Sequence, residues 1–230
     1  MLAIACSTGH PHHFMKHTFT VIGLGVFGST IALELARLGH EVLGIDLNPK
    51  RVNDIADRIT QAVIADARDD KALRDLGVHD SDVVVVAIGE DIEANILATL
   101  TVKGMPKPKV WAKALNHNHH RILQKLGADH IVHPEHDMGL RLARALMYPE
   151  VLDYIQLGHD QFIVDVRASE RLAGKGIDAL HLMAYGVQLL LVKHEKEVMA
   201  PPPFNYTFQV NDQIIMLGAL SNLQRVSKHL

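Results

Sequence analysis

The stretch Thr20–Asp46, TVIGLGVFGSTIALELARLGHEVLGID, constrains the fold more than any other part of the chain. A β-branched apolar run leads into Gly23, Gly25 and Gly28, spaced G-x-G-x-x-G, and an amphipathic run follows at once. In a strand–turn–helix of this kind the first glycine permits the tight turn. The second lets the backbone approach a phosphate, and the third lets the helix pack closely on the strand. Free N–H groups and the positive dipole end at the helix start favour an anion. A second apolar run ends in Asp46, eighteen residues after Gly28, near the ~20 expected for an acid that accepts hydrogen bonds from ribose hydroxyls. Leu47 and Asn48 bring no arginine for a 2′-phosphate, which argues against NADP.

The pattern repeats to Val132. Apolar runs TFTVIG, EVLGID, QAVIA, DVVVVAI, KVWAK and DHIV alternate with helix-like segments such as PKRVNDIADRI, DIEANILATLTVKG and NHHRILQKLG. Continuous apolar strands between helices imply a parallel sheet covered on both faces, and six of them fit a doubly wound α/β sheet. PEHDMGLRLARALMYPE reads as a further helix, with Pro134 at its start and Pro149 at its end. Beyond it QFIVDVRA, VQLLLVKH, EVMA and DQIIMLG read as strands, KGIDALHLMAYG as one short helix and SNLQRVSKHL as a closing one. The expected organisation is a flexible N-terminal extension (1–16), a Rossmann-like nucleotide-binding domain (17–149) and a small α+β domain (150–230).

Several function classes fall away. A net charge of −3 offers no basic field for nucleic acid. Cys6 is the one cysteine, so no intrachain disulfide forms, and the composition suits a reducing cytoplasm. No apolar run approaches the ~20 residues that span a bilayer, so attachment to a membrane would go through a partner. H-E-x-x-H, G-x-S-x-G and C-x-x-C are all missing from the chain. The small second domain offers no evident acid–base group to set against a nicotinamide. A small NAD-dependent oxidoreductase is therefore the rival reading rather than the leading one.

Other strand ends add candidates. Val26 and Phe27 complete the glycine turn. Asp66 and Ala67 follow AVIA, where an adenine edge would lie, and Asp66 suits a helix cap equally well. Ile88 and Gly89 follow VVVVA, where a small residue lets a ligand pass over the sheet. Lys113 ends KVWAK at the same edge, placed to meet phosphate or to cover the edge. In NHNHH, His117, His119 and His120 face different directions and read as a solvated helix start. In HPEHD, Glu135 stands at a helix N-terminus, where the dipole favours it as a cap and where it could also ligate a cation.

The order VIGLGVFG, GHEVLGID, VIADARD, VVVVAIGEDIEAN, VWAKA, GADHIVHPEHDMG and DQIIMLG resembles the RCK family, built from TrkA-N and TrkA-C domains, over about residues 17–230. GADHIVHPEHDMG is the most specific element, because an ordinary dehydrogenase has no reason to carry it. The resemblance implies a regulatory subunit of a potassium transport system, not an enzyme. It implies homodimers assembling to an octameric ring on the inner face of a KtrB-like membrane potassium-translocating subunit. ATP or ADP would occupy the Rossmann sites, with NAD or NADH as the alternative ligand, and the gating ring of a channel is the nearest related reading. Carried over by motif, Gly23, Gly25 and Gly28 bind phosphate, Asp46 holds ribose, Asp66 neighbours adenine and Lys113 meets phosphate. Glu135 takes the place of a Mg or Ca ligand. Cyclic di-AMP would bind the second domain near Val187–Leu191 and Ala200–Pro203. One departure stands out: relatives usually carry arginine between the second and third glycines, where this chain has Val26. A valine cannot clamp phosphate bidentately.

Overall fold

The computed structural model describes residues 16–147 and 151–227. They fall into two compact units, the first running to His136 and the second starting at Asp137. The expected extension, 1–16, lies outside the described residues apart from Lys16, and the expected boundary at 149/150 falls within 148–150, also outside them.

The first unit contains β1 (Thr18–Ile22), α1 (Val26–Arg37), β2 (Glu41–Asp46), α2 (Pro49–Asn53), β3 (Gln61–Ile64), α3 (Asp70–Asp75), β4 (Val83–Val86), α4 (Ile92–Lys103), β5 (Lys109–Lys113), α5 (His117–Leu126) and β6 (His130–Val132). All pairs are parallel, in the order β3-β2-β1-β4-β5-β6. This is the doubly wound arrangement read from the sequence. Its cause is visible in the burial. Val21 and Val85 pack with Val42, Ala32 and Val52 on one side of the sheet. Their chain neighbours Ile22, Val84 and Val86 pack with Leu73, Ala98, Val102 and Leu123 on the other. Successive side chains point to opposite faces, so a strand covered on both sides must be apolar throughout. The chain reverses direction across the sheet between β1 and β4, and the ligand crevice of such sheets opens at the carboxyl ends of those two strands.

A helix α6 (Pro134–Met147) carries the chain into the second unit. There β7 (Val151–Gly158), β8 (Gln161–Arg167), β9 (Gln188–His194), β10 (Glu197–Met199) and β11 (Gln213–Ala219) form an antiparallel sheet ordered β10-β9-β11-β8-β7, with short helices α7 (Leu182–Tyr185) and α8 (Leu220–Val226). Phe162, Val164, Val166, Val192, Ile214 and Met216 face a core that also takes Leu180, Leu182, Leu223 and Val226. Alternate residues Asp165, Arg167, Gln213 and Ile215 lie on the other face.

Three local readings change. VLDYIQLG forms β7, a strand not foreseen, because Asp153, Tyr154 and Gln156 interrupt its apolar pattern. KGIDALHLMAYG does not form one helix: a 3₁₀ turn, Ile177–Leu180, precedes α7, and His181 between them takes a left-handed φ of 51°. PKRVNDIADRI likewise divides into α2 and a 3₁₀ turn at Ala56–Arg58.

Candidate functional site: the carboxyl edge of the parallel sheet

The glycine turn joins β1 to α1 at the carboxyl edge. Gly23 takes φ 93°, and its N–H donates to the Ile45 carbonyl at 2.7 Å. A Cβ on Gly23 would stand 2.9 Å from the Ile88 nitrogen, so β1 and β4 close on each other here only without a side chain. A Cβ on Gly28 would lie 1.8 Å from the Gly23 carbonyl oxygen, inside the turn itself. Gly25 differs: a Cβ there meets nothing within 4 Å. It is the residue before the first turn of α1, and no side chain caps that turn. The N–H groups at the start of α1 therefore face an open cradle, the arrangement that receives a phosphate. Val26 is 89% exposed beside it.

Asp46 is only 8% exposed. Its Oδ2 accepts from the Leu24 N–H at 2.6 Å and its Oδ1 from the Asn48 N–H at 2.8 Å. The acid thus fixes the glycine turn to the end of β2 and keeps a second lone pair on each oxygen for hydroxyl donors. The structure also corrects the argument from Leu47 and Asn48. Arg51, on α2, places Nη1 3.7 Å from Asp46 Oδ2 and Nη2 3.7 Å from Glu90 Oε1, so an arginine does stand beside the acid. Leu47 itself is exposed.

Asp66 does not cap a helix. Arg68 holds it bidentately, Nε to Oδ1 at 2.9 Å and Nη2 to Oδ2 at 2.7 Å, and this pairing keeps its carboxyl below the usual range. Asp69 caps α3 instead, accepting from the N–H groups of Lys71 and Ala72. Ala67 is buried in the core beneath.

Lys113, at the end of β5, is 8% exposed. Its Nζ ion-pairs with Glu135 and lies 5.8 Å from the centre of the Phe27 ring. A Cβ on Gly89 would meet that Nζ at 2.9 Å, so Gly89 leaves the room in which the ammonium sits. The structure thus brings α1, the end of β4, the end of β5 and the start of α6 together around one cation. The hydrogen bond from Lys113 holds the Glu135 carboxyl below its ordinary value. Asn95 was not singled out from the sequence. Fully buried on α4, its Nδ2 donates to the Ile88 carbonyl at 2.7 Å and to the Lys113 carbonyl at 3.1 Å, stitching the ends of β4 and β5. One amide among the alanines and leucines of that helix was the available signal.

The histidine run is not a solvated helix start throughout. His119 is 2% exposed and its Nδ1 accepts from the Leu115 N–H at 3.3 Å; burial, then the neighbouring His133, pushes its pKa down. His120 Nδ1 meets His133 Nε2 at 2.8 Å. Among the described residues, no three His, Cys, Asp or Glu side chains group to hold a metal.

Comparison with known proteins identifies the family. The TrkA-N domain model matches residues 19–134 and the TrkA-C domain model residues 162–230. The chain belongs to the TrkA-N/TrkA-C (RCK) family. Its TrkA-N part holds every residue of the edge just described apart from Glu135, which directly follows the matched segment. A Ktr system potassium uptake protein A from Bacillus subtilis is 41% identical over 208 residues, covering 90% of this chain and 94% of that protein. The protein of the same name from Vibrio alginolyticus is 38% identical over 213 residues, 92% of this chain and 97% of its own. Among solved structures, the GsuK channel bound to NAD matches with a TM-score of 0.60 at 16% identity, over 93% of this chain. This RCK chain spans 39% of that channel chain, and the likeness is one of fold.

Proposed function

We propose that this protein is the nucleotide-sensing regulatory subunit of a Ktr-type potassium uptake system, and that it reads its nucleotide without consuming it. The observation that carries the reading is full-length similarity to a Ktr system potassium uptake protein, 41% identical over 94% of that protein's length. The site supports the same reading. An open cradle at Gly25, a buried acid with free lone pairs at Asp46 and a cation at Lys113 suit phosphate, ribose and phosphate in turn. ATP or ADP is the proposed ligand. Lys113 would exchange its Glu135 carboxylate for a phosphate oxygen. Glu135 alone gives a single carboxylate, so a Mg or Ca ion there would draw its other oxygens from phosphate, water or a second copy of the chain. The proposed assembly is a homodimer-built octameric ring in the cytoplasm, peripheral to the membrane through a KtrB-like potassium-translocating subunit. No described helix is long and apolar enough to cross a membrane itself. Cyclic di-AMP at Val187–Leu191 and Ala200–Pro203 belongs to the same proposal.

One observation favours a second ligand reading. Val26 brings no charge to the cradle, so the site lacks at that position the cation of a triphosphate clamp. NAD or NADH is the alternative. Isothermal titration with ATP, ADP, NAD and NADH, with and without Mg or Ca, separates the two. Binding of ATP or ADP strengthened by the divalent ion is the expected result, with a ring-sized species by light scattering and no change in NADH absorbance over time. NADH turnover would overturn the regulatory reading, and binding of NADH alone would replace the ligand.

A further inference from the structure

The second unit carries a polar concavity of about 330 Å³, lined by Arg167, Lys193, Glu195, Asn211 and Gln213. It lies on the sheet face opposite the core. Arg167, Gln213 and Lys193 are direct cross-strand neighbours on β8, β11 and β9, following core-facing Val166 and Val192 and preceding core-facing Ile214. Two inter-strand steps separate the cations, so their Cα atoms stand about 10 Å apart with the Gln213 amide between them. Two turns close the rim. Glu195 takes φ 49° in the turn between β9 and β10, and Asn211 takes φ 70° just before β11. Asp212, next to Asn211, is fully buried and holds that turn in place. Its Oδ1 meets His194 Nδ1 at 2.7 Å, and its Oδ2 accepts from the Tyr206 hydroxyl at 2.7 Å and the Gln209 N–H at 2.8 Å.

The charges in this concavity are not spent on one another. Some exposed arginines find partners, as Arg37 does with Glu34, Arg68 with Asp66 and Arg74 with Asp70, while others, such as Arg58 and Arg121, enter no ion pair among the described residues. Among the described residues, Arg167 and Lys193 enter no ion pair, although Glu195 shares their concavity and Asp165 stands two residues from Arg167 on the same face. Both cations act on Asp165 only through the field, and one oxygen of that carboxylate is buried without a hydrogen-bond partner. A guanidinium fork, an ammonium and two side-chain amides thus present donors from different directions to one open space. A planar carboxylate offers two oxygens to this set, whereas a tetrahedral oxyanion offers one to each direction.

We propose that this concavity is a binding site for a phosphate group, free or carried as a monoester on a small molecule. It shares no residue with the carboxyl edge of the parallel sheet. Glu195 works against the anion and sets the affinity low, so its removal is an informative test.

The full chain would be titrated with inorganic phosphate by isothermal calorimetry at constant ionic strength, beside Arg167→Gln, Lys193→Gln and Glu195→Gln. All three positions are on the surface away from the core, and unchanged melting temperatures verify that the variants fold. Arg167→Gln and Lys193→Gln are expected each to weaken phosphate binding about tenfold, the loss of one charged hydrogen bond. Glu195→Gln is expected to tighten it. Phosphate held only at the glycine turn would leave all three variants like the parent, and that result overturns the proposal. So does acetate binding as tightly as phosphate with the same response to the variants. Glycerol 3-phosphate tells the sources apart: if it binds with the same variant dependence the natural ligand is an ester, and if it is excluded while phosphate is retained the ligand is the free ion.

Discussion

Gly25 and Gly28 stand three residues apart and respond differently to one added methyl group. At Gly25 the backbone, φ −64° and ψ −175°, suits any residue, and a Cβ meets nothing. At Gly28 a Cβ falls 1.8 Å from a backbone oxygen that cannot move aside. Gly25→Ala is therefore expected to keep folding stability within about 0.5 kcal/mol and to weaken nucleotide binding at least about tenfold, because the methyl occupies the space where a phosphate would approach. Gly28→Ala is expected to destabilise the fold by about 3 kcal/mol, as overpacking against fixed atoms does. Thermal denaturation and calorimetric titration check both, and a Gly25→Ala protein that binds nucleotide like its parent would mean that the turn is not the phosphate cradle. At this scale the spacing of the glycines and the acid was legible in the sequence. Arg51 beside Asp46 was not, because α2 had to turn back over the end of β2 to bring it there. The pairing of Lys113 with Glu135 was hidden for the same reason: the partners lie 22 residues apart on different elements, and sequence spacing does not encode contacts made across a sheet edge.

At the scale of elements, the sheet was legible because parallel strands buried on both faces leave uninterrupted β-branched runs. VVVV and EVLGID could hardly be read otherwise, whereas β7, with Asp153 and Gln156 in its run, kept no clean pattern to read. What holds those runs in register is partly polar. Asp82, just before β4, accepts from the Thr18 N–H at 2.9 Å and pairs with Lys107 at 3.1 Å, fastening the start of β1 to the start of β4. The Thr18 hydrogen bond, followed by that from Lys107, holds its carboxyl far below the usual range. A carboxyl with a lowered folded pKa adds stability above its unfolded value, about 3.9, and that stability is lost as pH falls through the folded value. Lys107 is half exposed and its share is screened, so the backbone hydrogen bond carries most of the effect. Asp82→Asn is expected to cost about 1 kcal/mol at pH 7. Denaturant titrations of parent and variant should converge as the pH drops below about 4, and a difference that persists in acid would assign the loss to packing instead.

For the whole molecule, the decisive feature is that the two units keep separate cores. The clusters built on Ile22 and on Val21 lie in the first unit, and the cluster built on Phe162 lies in the second. Gly23, Gly25, Gly28, Asp46, Lys113 and Glu135 all belong to the first unit. α6 begins with Glu135 paired to Lys113 in the first unit and continues to Arg141, which pairs with Asp153 in the second. The residues proposed to hold a nucleotide at the carboxyl edge all come from the first unit. At a free concentration one hundred times its dissociation constant a nucleotide stabilises the unit that binds it by about 2.7 kcal/mol. Scanning calorimetry of the full chain with saturating ATP should therefore raise the transition of the first unit and leave that of the second where it was. If both transitions rise together, the units share their stability, and the nucleotide acts on the second unit by more than the covalent continuity of α6. If neither rises while titration still reports binding, the ligand sits away from the folded edge and the assignment of the glycine turn fails. Regulation in the first case has to come from changes of position rather than of stability, since a ligand shifts an equilibrium only through its different affinity for two arrangements.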